Sequence, residues 1–152
     1  MGLAPGHWEA ASATWLREAA AHEPLPFPGA AAALRRLRRR FRLGIVTGGS
    51  KPRVRTDLER GDLRGLFEVV VTADDVAEPK PAPEGLHLAL RALGVAPHQA
   101  LYVGDTDSDH DFARAAGVAF VAVASGFTRP ERRAPYPRLD AVTALPGFLS
   151  AG

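Results

Sequence analysis

Residues 100–124, ALYVGDTDSDHDFARAAGVAFVAVA, read as strand, acidic turn, helix and strand. Ala100 to Val103 is a short apolar run stopped by Gly104. Asp109 to Ala116 suits a helix, with Gly117 to close it. Val118 to Ala124 is apolar throughout. Two strands with no polar face, joined by a helix, indicate a parallel sheet covered on both sides. The alternation continues upstream. Leu43 to Thr47 (LGIVT) reads as a buried strand. A helix follows to Arg60, with Ser50 as its cap and Gly61 at its end. Phe67 to Thr72 is the next strand. Pro83 to Leu93 is a helix, with Pro83 in its first turn and Gly94 just beyond. Downstream, Ala141 to Thr143 reads as a last short strand before a short helix. The expected fold class is α/β, and ligands of such sheets bind at the carboxyl ends of the strands.

Before this alternation the pattern changes. Residues 7–21 read as a helix, with Trp8, Ser12, Trp15, Leu16 and Ala19 on one face. Residues 22–29 hold Pro24, Pro26, Pro28 and Gly29 and mark a break between subdomains. Ala30 to Arg40 reads as a further helix with Leu34, Leu37 and Phe41 as its apolar stripe. Arg35, Arg36, Arg38, Arg39, Arg40 and Arg42 fill the other side. They read as a solvated helix face suited to the negative end of the helix dipole, with nucleic-acid contact as the alternative. A formal net charge of only +2 over 152 residues argues against a nucleic-acid partner. The longest apolar run, Val118 to Ala124, is far short of the ~20 residues of a membrane span. No membrane partner and no secretory signal are expected, and a cytoplasmic location is the default. The absence of cysteine excludes disulfides and thiol chemistry. Of 19 basic residues only Lys51 and Lys80 are lysines, which suggests that arginine cannot replace them.

Three strand ends carry the candidate chemistry. Thr47-Gly48-Gly49-Ser50 sets a hydroxyl beside backbone N–H groups at a helix start, an arrangement that suits a phosphate oxygen; it reads equally as a tight strand-to-helix turn. Lys80 lies between Pro79 and Pro81, which restrict the backbone and aim the side chain; the ammonium there can neutralise a phosphate, or it is a surface lysine. Asp105, Asp107, Asp109 and Asp111 place four carboxylates within seven residues. Such crowding is costly without a cation, and hard oxygen ligands suit Mg2+. Helix capping accounts for Asp109 and Asp111 but not for Asp105.

In order and spacing, the Thr-Gly-Gly turn, FEVVVTADDV with KPAPE, and LYVGDTDSDHDFARAAGV resemble the haloacid-dehalogenase-type (HAD) phosphohydrolases from their second motif onward, most closely the phosphoglycolate-phosphatase-like branch. The resemblance covers roughly residues 25–145. It implies a Rossmann-like parallel sheet, a small phosphorylated metabolite as substrate and Mg2+ as cofactor. Residue by residue, it makes Thr47 the phosphate-binding hydroxyl, with Gly48 and Gly49 beside it. Lys80 becomes the lysine that steadies nucleophile and phosphate. Asp105 becomes the magnesium-ligating aspartate and Asp109 the second acid of the motif, so both are expected at the metal site. It also makes residues 1–24 the remnant of a helical cap and 25–152 an incomplete core, with PFPGA (residues 26–30) as the re-entry from cap to core.

The resemblance fails at one point. The family begins with a strand ending in Asp-x-Asp, whose first aspartate attacks phosphorus, and no such strand precedes Thr47. In the family that strand lies between those ending at Thr47 and at Asp105. Asp105-Thr106-Asp107 does not replace it, because the second and third motifs already lie upstream in order. A truncated phosphohydrolase, inactive alone, is therefore expected. The alternative is a non-catalytic phosphate- or metal-binding domain, as a homodimer or completed by another chain. Either the two flanking strands close up, or another segment fills the gap.

Overall fold

The computed structural model describes residues 26–124 and 135–150. The helix expected over residues 7–21, and with it the cap remnant, lies outside them. Among the described residues, five α-helices and five strands follow in chain order: α1 (Ala30–Arg38), β1 (Gly44–Val46), α2 (Lys51–Arg60), β2 (Val69–Val71), α3 (Glu84–Leu93), β3 (Leu101–Gly104), α4 (Asp107–Ala115), β4 (Ala119–Val123), β5 (Arg138–Leu139) and α5 (Leu145–Phe148). Every described strand pair is parallel, as expected of an α/β fold with apolar strands.

Side-chain alternation along the strands sorts the core into layers. Leu101 and Val103 pack with Leu37 of α1, Val121 of β4 and Leu145 of α5. Tyr102, between them in sequence, points to the opposite face and packs with Leu86, Leu90 and Phe112. Helices thus cover both faces. Phe112 and Val121 are fully buried, one on each side.

The strands do not form one sheet. β1 pairs with β2, and β3 pairs with β4 and β5; no ladder joins the two groups among the described residues. The strands flanking the gap have not closed up. What holds the halves together is side-chain packing: Val46 joins the cluster of Leu86 and Phe112 below, and Leu43 joins that of Leu37 and Val121 above. A cavity of about 480 Å³ lies between β1 and β3, lined by Gly44 and Val46 on one side and Leu101, Tyr102 and Val103 on the other.

Several expectations are corrected. The strand expected at Ala141 to Thr143 is a 3-10 turn; the parallel edge forms earlier, at β5, where the Pro137 carbonyl accepts from Ala122 N–H at 2.9 Å. Helix α4 begins at Asp107 rather than Asp109, because Thr106 supplies the cap. Ser50 occupies the N-cap position of α2 but makes no side-chain cap bond. Gly61 ends α2 in a right-handed conformation; it is needed for space, since a Cβ there would meet Pro26 Cγ at 2.8 Å. Phe41, expected in the stripe of α1, is 40% exposed, because the helix stops at Arg38. Within the arginine cluster, Arg35 pairs with Asp62 and Arg42 with Glu68.

Candidate active site

The carboxyl ends of β1 and β3 meet the loop that follows β2. Lys80 is held where they converge. Its loop is tied down by Glu84, whose Oε2 accepts from Ala77 N–H at 3.0 Å and Glu78 N–H at 2.8 Å. Lys80 Nζ donates to Tyr102 Oη at 2.5 Å and to Asp109 Oδ1 at 3.0 Å. It also lies 4.9 Å from the centre of the Phe112 ring, a cation–π contact. Burial opposes the charge on Lys80, but the Tyr102 hydroxyl and the Asp109 carboxylate outweigh it and hold the ammonium above its usual pKa. Burial likewise pushes the Tyr102 hydroxyl up, against the pull of Lys80. Both groups therefore stay protonated at neutral pH.

Asp109 is the hub of the acidic turn. Its Oδ2 accepts from Thr106 Oγ1 at 2.8 Å and from the N–H groups of Asp105 and Thr106, each at 3.2 Å. The Thr106 hydroxyl in turn accepts from Asp109 N–H at 3.1 Å, which closes a capping box at the start of α4. Burial alone would raise the Asp109 pKa; the Thr106 hydroxyl, Lys80 and the Asp105 amide hold it at about 2.

Gly104 is what lets Asp109 lie so close to the strand. A Cβ on Gly104 would meet Asp109 Cβ at 2.5 Å and Cγ at 2.7 Å. Gly104→Ala is expected to push Asp109 off Lys80 and to destabilise the fold by about 1–3 kcal/mol, read as a lower urea midpoint. An unchanged midpoint would show that the turn moves aside freely.

The other two carboxylates are taken up separately. Asp107 accepts from Tyr136 Oη at 2.6 Å, and Asp111 pairs with Arg114 at 3.2 Å. Asp107 and Asp109, rather than Asp109 and Asp111, occupy the first turn of α4. The crowding is thus relieved by donors and cations from the chain itself. Among the described residues no three acidic or histidine side chains converge on a metal position. Asp105, at the carboxyl end of β3, suits one ligand position for Mg2+, which takes one or two protein carboxylates and fills the rest with water and phosphate oxygens. Asp109 has both oxygens engaged.

Thr47, Gly48 and Lys80 line one small cavity of about 70 Å³, with Phe112 behind it. Gly48 has nothing within 4 Å of where a Cβ would stand, so its backbone is open to approach. The Thr47 hydroxyl accepts from Gly49 N–H at 3.2 Å. Gly49 itself does not line this cavity. The structure thus brings together Thr47, Gly48 and Lys80, and joins Asp109 to them through Lys80.

Sequence reasoning missed the supporting groups. The N-terminus of α2 is capped by Asp74, whose Oδ2 accepts from Lys51 N–H at 2.7 Å. Lys51 Nζ pairs with Asp75 at 2.6 Å. That ion pair, then the Thr72 hydroxyl, hold Asp75 at a pKa of about 2. Lys51 therefore has a partner at the site's edge rather than a place within the cavity. Tyr102 looked like one more apolar strand residue; only its partners mark it out.

The model of the haloacid dehalogenase-like hydrolase family matches residues 6–123. The chain is 45% identical over 86 residues to the pyrophosphatase PpaX of Bacillus pumilus, covering 57% of this chain and 40% of that protein. It is 40% identical over 89 residues to the phosphoglycolate phosphatase of Escherichia coli, covering 59% of this chain and 35% of that one. It therefore spans well under half the length of these curated relatives. A mutant of CbbY from Rhodobacter sphaeroides, in complex with xylulose-(1,5)bisphosphate, superposes with a TM-score of 0.73 at 31% identity, over 83% of this chain and 58% of that one. A family match over most of the chain, on a parallel α/β scaffold with the expected motif order, means that this protein belongs to the haloacid dehalogenase-like hydrolase family.

Proposed function

We propose that this chain carries the phosphate- and magnesium-binding half of a phosphohydrolase acting on a small, phosphoglycolate-like phosphomonoester in the cytoplasm. The observation that carries this reading is the shared cavity of Thr47, Gly48 and Lys80, with Lys80 paired to Asp109. The Thr47 hydroxyl and the Gly48 amide act as donors to phosphate oxygens, while the Gly49 amide is spent on the Thr47 hydroxyl. Lys80, kept protonated by Tyr102 and Asp109, offsets the charge on the phosphate and on an attacking carboxylate. Asp105 is the carboxylate ligand of Mg2+, and Asp109 is the second acid, which fixes Lys80 beside it. Bound Mg2+ supplies Lewis-acid neutralisation of the phosphoryl oxygens.

The nucleophile is not among these residues. The sequence contains no aspartate before Asp57, and Asp105 and Asp109 have the roles just given. The purified chain is therefore expected to show no Mg2+-dependent hydrolysis of p-nitrophenyl phosphate above the uncatalysed rate. Turnover that disappears in Asp105→Ala would mean that Asp105 is the nucleophile and that this assignment is wrong. The second reading, a binding domain completed by another chain, is favoured by the unjoined half-sheets.

A further inference from the structure

We infer that Tyr136 sets the cation selectivity of the acidic turn: its hydroxyl holds Asp107 away from the metal position, so that Asp105 is the carboxylate offered there. This rests on the assignment of Mg2+ to Asp105 above and concerns two residues to which the resemblance gives no role.

The spacing of the turn is that of a different cation. Calcium loops take ligands from alternate residues, as in Asp-x-Asp-x-Asp-Gly, and Asp105, Asp107 and Asp109 have this spacing, with His110 where such a loop has glycine. The fold takes the second and third of these carboxylates out of use in different ways. Asp107 and Asp109 both lie in the first turn of α4. Residues two apart on an α-helix stand about 200° apart around its axis, so the two side chains leave the helix on opposite sides. Asp109 turns toward Lys80, and Lys80, Thr106 and the Asp105 amide take up both its oxygens. Asp107 turns toward β5 and accepts from Tyr136 Oη at 2.6 Å. It is exposed, and this bond is what keeps it from serving as a second ligand beside Asp105.

Tyr136 is itself anchored. Its ring meets Phe120 edge-on at 4.8 Å and lies 4.7 Å from the His110 ring. It packs on the buried Ala113, Phe120 and Ala122. The carbonyl of the next residue, Pro137, accepts from Ala122 N–H. With ring and backbone both seated on β4, the hydroxyl stays on the β5 side, and ligation by Asp107 has to break its bond. The two cations feel that cost differently. Ca2+ takes about six to eight oxygens in flexible geometry and gains from a second carboxylate, whereas Mg2+ demands a near-ideal octahedron and keeps several waters. The restraint on Asp107 therefore acts mainly against Ca2+.

The test uses the chain as it stands, isotopically labelled, and Mg2+ or Ca2+ alone, with affinities read from the amide shifts of Asp105, Thr106 and Asp107. Tyr136→Phe keeps the ring and removes only the hydroxyl. The ratio of Ca2+ to Mg2+ affinity is expected to rise about threefold to tenfold, the worth of one hydrogen bond. Asp107→Asn alone should leave the ratio unchanged, because its lost charge weakens both cations alike. In the double variant the rise should disappear. A measurement on wild type makes the same test should Tyr136→Phe not fold: Mg2+ should shift the side-chain carboxyl carbon of Asp105 and not that of Asp107. The inference is overturned if the ratio is flat in Tyr136→Phe, if the rise survives in the double variant, or if the Asp107 carboxyl of wild type shifts together with that of Asp105. Loss of both cations in Asp105→Asn upholds the metal assignment by itself, so a flat ratio then counts against Tyr136 alone. No cation-dependent shift at the turn in any of these proteins would overturn both.

Discussion

Phe112→Ala is expected to lower the unfolding free energy by about 3–5 kcal/mol, measured by urea titration. Phe112 has no exposed surface. It belongs to the cluster with Leu86, Leu90 and Val118 and meets the Tyr102 ring edge-on at 5.4 Å. Truncation would remove this packing and leave a void that the helices α3 and α4 cannot easily close. The effect should reach the site as well, because the ring lies under Lys80 and forms the back of the Thr47–Lys80 cavity. Weaker phosphate binding should therefore accompany the lost stability. A loss below about 1 kcal/mol would mean that α4 is not anchored there, contrary to the packing described.

The second large effect is a pH dependence traced to Asp109. Its folded-state pKa of about 2 lies below the ordinary aspartate value. A carboxyl group depressed on folding contributes its full stability above its unfolded pKa and loses it as pH falls through the folded value. The window is therefore roughly pH 4 down to pH 2, and the contribution is about 2 kcal/mol for a shift of this size. Asp75 is depressed to a similar value and titrates in the same range, so wild type alone does not separate the two. The difference between wild type and Asp109→Asn does. That difference should be large at neutral pH and shrink toward pH 2. A difference independent of pH would assign the role of Asp109 to shape rather than charge. The variant should also free Lys80 from its ion partner while leaving its bond to Tyr102 in place.

The site residues differ in how far their partners could be read in advance. Lys80 stood out because it sits between prolines in a chain with one other lysine, and it lies at the point where the strand ends converge. Thr47 and Gly48 stood out as a hydroxyl and a small residue at a strand end, and they line the cavity with it. Asp109 was legible as an acid at a helix start, but its partners were not. Thr106, Tyr102 and Lys80 come from the turn, the strand and a distant loop, and nothing in their spacing announces that they meet. The four-aspartate run suggested crowding that only a cation would relieve. Folding gives two of those carboxylates partners, Tyr136 for Asp107 and Arg114 for Asp111, and leaves Asp105 at the strand end. Ser50 looked like a cap because it has the right residue type in the right place, whereas a carboxylate from the next loop fills that role.

Local pattern was enough to reveal the parallel α/β class, the order of its elements and the strand ends that bear the chemistry. These follow from apolar periodicity and glycine punctuation, which act over a few residues. The expectation that a strand between β1 and β3 is absent came from the family resemblance rather than from that pattern. What becomes of the gap is a tertiary matter. Closing it would have required β1 and β3 to slide together under helices already seated on Leu37, Leu86 and Phe112. Packing on the two faces sets the separation of the strands independently of the hydrogen bonds between them. The half-sheets therefore stay apart; among the described residues the Tyr102 hydroxyl reaches the Val46 carbonyl across the gap, and Lys80 ties the two halves together through Tyr102 and Asp109.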